Sequence, residues 1–247
     1  MKTFYKSGIL LTIVIFLFSY CTQNKELGSK LTTTGDTIFM NLNGNEYNIT
    51  LSFEKGKFHN HPSFAVWIED PEGNFIQTLF ATKSVVTGIF NYGYAGNGSW
   101  KNESGKAVYP AALPYWSNKS GLNKEIPDKS QTDAISGATP KGNFVLNSKL
   151  SESNGKKFRI LFEVNQTWDW NEYWNNNKYP DNQNYKSSCQ PSLVYAVTVD
   201  PNQPEDEYYL NPIGHGHYAG ENGKLYTDLT SFTTALKIFE KIKLDVK

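Results

Sequence analysis

The sequence predicts an all-β fold, an immunoglobulin-like β-sandwich with long loops and one C-terminal helix, and three patterns carry that expectation. Apolar and polar residues alternate at Tyr47-Ile49-Leu51-Phe53, at Phe158-Ile160-Phe162-Val164 and at Leu193-Tyr195-Val197-Val199, the period of half-buried strands. Phe64 to Glu69 and Asn74 to Phe80 are rich in aromatic and β-branched residues, and Asp70-Pro71-Glu72-Gly73 between them is turn chemistry that closes a hairpin. Residues 93–131 and 171–190 are rich in Gly, Asn, Ser and Pro, which marks long loops, the segments where function concentrates in compact domains. Two layers of such strands make a sandwich. After Ser231, a candidate cap, Phe232, Ala235, Leu236, Phe239 and Ile242 recur at helical spacing and predict one amphipathic helix packed on that sandwich.

Taken from its beginning, the chain opens on Lys2 and Lys6 and then an apolar run from Gly8 to Ser19, the order of charged and hydrophobic regions found in export signals. Spanning a bilayer takes about twenty apolar residues, so this run suits removal better than permanent anchorage. Phe18-Ser19-Tyr20-Cys21 resembles the end of a bacterial lipoprotein signal, in which the cysteine becomes an acylated N-terminus, although Tyr20 stands where such signals usually carry a small residue. The resemblance implies a signal over 1–20, lipid attachment at Cys21, and a membrane-anchored protein facing the periplasm or the cell surface. An uncleaved anchor and ordinary secretion are the alternatives. The polar, aperiodic stretch 21–36 reads as a flexible tether. Residues 37–247 then form a single β-sandwich domain, roughly 210 residues being enough for one sizeable core.

With Cys21 lipidated, Cys189 is the remaining thiol, so an intrachain disulfide is excluded and core packing must hold the domain. The 24 basic residues balance the 24 acidic ones, and loss of Lys2 and Lys6 tips the mature chain slightly acidic. No Lys/Arg cluster interrupts that balance, which argues against a nucleic-acid partner. The sequence contains no G-x-S-x-G elbow, H-E-x-x-H pair, Walker loop or dinucleotide fingerprint. Carboxylates such as Glu69, Asp169 and Glu172 are scattered, and a glycosidase needs two that face each other. The balance leans away from an enzyme.

The sharpest motif is Asp133-Ala134-Ile135-Ser136-Gly137-Ala138-Thr139. It resembles the acceptor motif of bacterial flavin transferases, found in the FMN-binding domains of sodium-pumping NADH:quinone reductase and related electron-transfer complexes. In that chemistry the last hydroxyl attacks FAD, AMP leaves, and FMN remains joined through a phosphodiester. The resemblance implies FMN attachment at Thr139, with Asp133, Ser136, Gly137 and Ala138 as the recognition segment, a flavin transferase as partner and membrane redox proteins beyond it. Gly137 and Ala138 supply the low bulk an enzyme needs to reach one hydroxyl, and Pro140 stiffens the exit. The alternative is that the same residues form a structural turn launching a strand from Asn143 to Lys149. Ala65-Val66-Trp67-Ile68-Glu69-Asp70 with Gly73, the Asp133 to Gly142 segment and the Phe158 to Glu163 strand together resemble an uncharacterised, all-β family of periplasmic proteins associated with flavin transferases.

All four histidines fall in two His-x-His pairs, His59/His61 and His215/His217. On an extended backbone, residues two apart point the same way, so each pair offers two imidazoles to one metal ion, with ordinary loop histidines as the other reading. Trp168, Trp170 and Trp174, with Tyr173 and Tyr179 nearby, gather aromatic rings in a polar loop. Such rings stack on an isoalloxazine or a sugar face, or else cap the end of the sandwich. Two function classes follow: an extracytoplasmic lipoprotein carrying covalent FMN in membrane-associated electron transfer, and a non-catalytic β-sandwich module that binds a carbohydrate or protein ligand through the Trp168–Trp174 loop.

Overall fold

The structure is a computed structural model and describes residues 35–90, 93–96, 99–101, 105–106, 108–122, 135–136, 140–151, 153 and 155–247. In chain order its strands are β1 (Asp36–Phe39), β2 (Asn48–Lys55), β3 (Ser63–Glu69), β4 (Phe75–Thr82), β5 (Ile89–Phe90), β6 (Gly93–Gly96), β7 (Ser99–Lys101), β8 (Gly105–Lys106), β9 (Ile135–Ser136), β10 (Phe144–Lys149), β11 (Phe158–Asn165), β12 (Leu193–Val199), β13 (Tyr208–Tyr209), β14 (Asn211–His215) and β15 (Phe239–Val246). Among the described residues, three short helices, α1 (Lys83–Thr87), α2 (Pro114–Lys119) and α3 (Gln183–Ser188), and a 3-10 turn at Ala235–Lys237 join them. The two large sheets run β1-β10-β2-β15-β13 and β14-β12-β11-β3-β4-β9, and β5 pairs with β8 and β6 with β7 in two small ones.

The alternating segments pack as their period requires. Ile49, Leu51 and Phe53 of β2 face Phe64, Val66 and Ile68 of β3 and Phe158, Ile160 and Phe162 of β11 across one buried core. Its centre is a group of phenylalanines, with Phe53 stacked on Phe144 at 4.3 Å and Phe64 on Phe80 at 4.5 Å between ring centroids. The β3–β4 hairpin forms as the turn chemistry dictates. Gly73 takes φ +86, and both carboxylate oxygens of Asp70 accept from Asn74, each at 2.7 Å.

Two features depart from a two-layer sandwich closed by a helix. The six-stranded sheet is covered on its outer face as well, where Ala65, Trp67, Leu161 and Val194 pack against Ala112, Leu113, Tyr115 and Trp116 from the segment carrying α2. The C-terminal helix does not form, and residues 239–246 are strand β15, paired with β2. The cause is a β-bulge. Register shifts between Phe239 and Lys241, so the extra residue, Glu240, puts Phe239 and Ile242 on the same buried face although they are three apart. That spacing imitates a helical stripe. β1 begins at Asp36 and pairs in parallel with β10, so the first strand includes the last residue assigned to the tether.

Candidate functional site

The aromatic loop after β11 is held by backbone that few residues tolerate. Trp168 takes φ +63 and Cys189 takes φ +64, positive-φ conformations that cost a non-glycine residue about 1 kcal/mol or more and persist only where the surroundings fix them. Cross-links between the two segments do the fixing: Trp168 N donates to Ser187 O at 3.1 Å, and Gln190 N donates to Asp169 O at 3.1 Å. Asn171 then ties the loop to a distant part of the chain. Its Nδ2 donates to Gln190 Oε1, Ser231 O and Thr233 Oγ1, while its Oδ1 accepts from Tyr173 N and Trp174 N.

The result is a groove of about 720 Å³ walled on one side by Trp170, Glu172 and Tyr173 and on the other by Asp228, Thr230 and Ser231. Trp168, Trp170 and Tyr173 are 57%, 46% and 54% exposed, whereas Trp174 is only 6% exposed. The three tryptophans grouped by sequence therefore separate. Trp174 belongs to the core, within 6.3 Å of Tyr185, Phe232 and His215 by ring centroid, with Nε1 donating to Ser231 Oγ at 3.0 Å. Lys178 places its ammonium 3.1 Å from the Tyr173 ring centroid, a cation–π contact that fixes that ring. Asp228 accepts both Thr230 N and Thr230 Oγ1 on Oδ1, at 2.9 and 2.7 Å; the Thr230 hydroxyl, more than any other group, holds its carboxyl below the ordinary range.

Asp169 lies behind this groove rather than opposite Glu172. Its Oδ1 accepts from Thr234 Oγ1, Oδ2 is buried without a hydrogen-bond partner among the described residues, and burial raises its pKa. Glu69 sits elsewhere, fully buried on the outer face of the six-stranded sheet, 3.6 Å from Lys119 Nζ and 3.7 Å from Arg159 Nη1, and it accepts from Trp67 Nε1 at 2.9 Å. Beside it on the same face is a carboxylate the sequence did not single out. Glu163 is completely buried and accepts from Tyr115 N, Trp116 N and Ser192 Oγ, so it clamps the start of α2 onto the sheet. Burial pushes its pKa up to about 7 against the pull of those three donors. Gly216 completes the clamp, since a Cβ there would lie 2.5 Å from Pro114 Cγ and 2.6 Å from Ser192 Oγ.

Each histidine is engaged by its own neighbours. His61 takes φ +52, so the extended geometry that would align it with His59 is lost, and His59 packs edge-on against Phe239 at 5.2 Å. His215 Nδ1 lies 2.7 Å from Gly216 O, and its ring stacks on Tyr226 at 5.3 Å. His217 Nδ1 accepts from Ala219 N and Glu221 N. Burial lowers the pKa of His59 and of His215. Among the described residues no three His, Cys, Asp or Glu side chains are grouped to hold a metal ion. Cys189 is buried, and burial pushes its thiol up to about 12, far from a reactive thiolate.

Cys21, Asp133, Gly137, Ala138 and Thr139 lie outside the described residues. Of the acceptor motif, Ile135–Ser136 is described, as the two-residue edge strand β9 paired in parallel with β4. Of the three segments behind the family resemblance, Ala65–Glu69 lies on β3, Ile135–Ser136 on β9 and Phe158–Glu163 on β11, strands of one sheet. Among the described residues no helix is long and apolar enough to cross a membrane. Compared with models of protein families, with curated proteins and with solved structures, the chain matches none of them.

Proposed function

We propose that the chain is an exported lipoprotein, acylated at Cys21, whose β-sandwich carries FMN on Thr139 for membrane-associated electron transfer. The match of Asp133 to Thr139 with the flavin-transferase acceptor motif carries this reading. The edge position of Ile135–Ser136 supports it, because a transferase must reach the acceptor from solvent and the outermost strand offers the least steric obstruction. The hydroxyl of Thr139 attacks the FMN phosphorus of FAD, the pyrophosphate bond breaks, AMP leaves, and the threonyl proton passes to a base of the transferase.

Coexpressed with a flavin transferase, its own leader intact, the protein is expected to fluoresce as a flavoprotein after denaturing electrophoresis. Thr139→Val abolishes that signal, and Asp133→Ala weakens it without lowering the melting temperature. An unmodified Thr139 in peptides from the cells that make the protein sinks the proposal. Anchoring has a separate test: Cys21→Ser releases the domain into the soluble extracytoplasmic fraction, and retention of that variant in the membrane contradicts acylation there.

The exposed Trp170 and Tyr173 beside a hydroxyl- and carboxylate-lined groove favour a second reading. In it the domain is a non-catalytic module that binds a ligand through this loop, with no requirement for flavin.

A further inference from the structure

We infer that the groove between Trp170 and Asp228 takes a neutral saccharide, seated with the apolar face of a pyranose ring against the Trp170 indole and its hydroxyls turned to Glu172, Asp228 and Ser231. This rests on the ligand-binding reading and names the ligand class.

Three observations point to that class. The first is the exposure of flat rings. Trp168, Trp170 and Tyr173 present three aromatic side chains about half exposed within six residues, while Trp67, Trp116 and Trp174 are almost wholly buried. An exposed indole retains an unburied apolar face, and the C–H face of a pyranose is a flat surface that can cover it.

The second is rigidity. Two positive-φ residues and five hydrogen bonds made by one asparagine side chain hold the loop, and Trp168 and Trp170 meet edge to face at 5.9 Å and 84°. A platform fixed before binding loses little entropy on taking up a ligand.

The third is the polar lining. Glu172 and Asp228 contribute carboxylates, Thr230 and Ser231 contribute hydroxyls, and no Lys or Arg lines the groove among the described residues. The neighbouring cation, Lys178, is engaged on the Tyr173 ring. Two carboxylates without a lining cation repel phosphates and uronates and accept hydrogen bonds from sugar hydroxyls. Both protein hydrogen bonds to Asp228 fall on Oδ1, which directs an incoming hydroxyl to Oδ2. The volume of about 720 Å³ lies within the range of small-ligand sites, about 300–1,000 Å³.

The test uses the full chain in detergent, titrated with soluble neutral β-linked gluco-oligosaccharides, with chito-oligosaccharides and with oligogalacturonate, and read by tryptophan fluorescence and calorimetry. Saturable binding of a neutral oligosaccharide is expected, weakened at least tenfold by Trp170→Ala and severalfold by Asp228→Asn. Both variants should melt within a few degrees of the parent, because their side chains lie at the surface. Oligogalacturonate should bind at least tenfold more weakly than the best neutral oligomer. The inference is overturned if no neutral oligosaccharide binds, if Trp170→Ala leaves the affinity unchanged, or if the anionic oligomer binds best. A peptide ligand that depends on Trp170 while every sugar fails would remove the saccharide assignment and leave the ligand-binding reading standing. Flavin at Thr139 is assayed separately and is indifferent to all of these outcomes.

Discussion

Replacing Glu163 by alanine is expected to destabilise the fold by on the order of 3 kcal/mol at pH 7, enough to lower the melting temperature by about 10 °C in a domain of this size. The substitution leaves Tyr115 N, Trp116 N and Ser192 Oγ without their acceptor inside a sealed layer. Each orphaned buried donor costs about 1–3 kcal/mol. Part of that loss is offset because a buried carboxylate no longer has to be ionised. The offset makes the effect depend on pH. In the folded protein Glu163 titrates near 7, against an ordinary value of 4.5, so between those values the folded state holds a proton the unfolded chain has released. The stabilisation from that proton is fully present below pH 4.5 and is lost as pH rises through 7. A gap of that size is worth about 3 kcal/mol.

Glu163→Gln keeps the shape and removes the titration, so the stability difference between parent and variant should shrink from pH 5 to pH 8. His59 and His215, whose lowered values act in the opposite direction as pH falls, are common to both proteins and cancel in that difference. Denaturant unfolding across this range measures it. An equal difference at pH 5 and pH 8 would show that the carboxyl is not the group titrating.

Glu163 also marks where the sequence stops being readable. Alternation along β2, β11 and β12 located the sandwich core, because one face of each strand meets the opposite sheet wherever the chain runs. The second face was harder to see. Phe64 to Ile68 is an unbroken apolar run, a sign of burial on both sides, and Ala111-Ala112-Leu113-Pro114-Tyr115-Trp116 is the apolar segment that covers it, embedded in a stretch whose Gly, Asn and Ser read as loop. Nothing local says that these two runs meet. A buried glutamate is likewise indistinguishable in sequence from an exposed one until its donors, 47 and 29 residues away, are in place. The helix expected near the C-terminus failed for a local reason, a bulge at Glu240 that changes strand period into helical spacing. That error also hid half of the groove. Asp228, Thr230 and Ser231 come from just before the expected helix, and Asn171, which binds Ser231 O and Thr233 Oγ1 across about 60 residues of chain, is one of the ties that bring them beside Trp170.

The groove offers the second large effect, and it comes from the tryptophan that does not face the ligand. Trp174→Ala is expected to cost about 3–5 kcal/mol, the usual penalty for removing a buried indole and leaving a cavity. Its ring is packed among Tyr185, Phe232 and His215, and its Nε1 is the donor that holds Ser231 Oγ in the opposite wall. Trp174→Phe separates the two contributions, retaining most of the packing while giving up a hydrogen bond worth about 1 kcal/mol. Trp170→Ala, by contrast, removes a side chain that is 46% exposed and should change stability by much less than Trp174→Ala. Chemical denaturation of the three variants decides the assignment. If Trp174→Ala unfolds at the denaturant concentration of the parent, Trp174 does not hold the two walls together, and their attachment falls to Asn171.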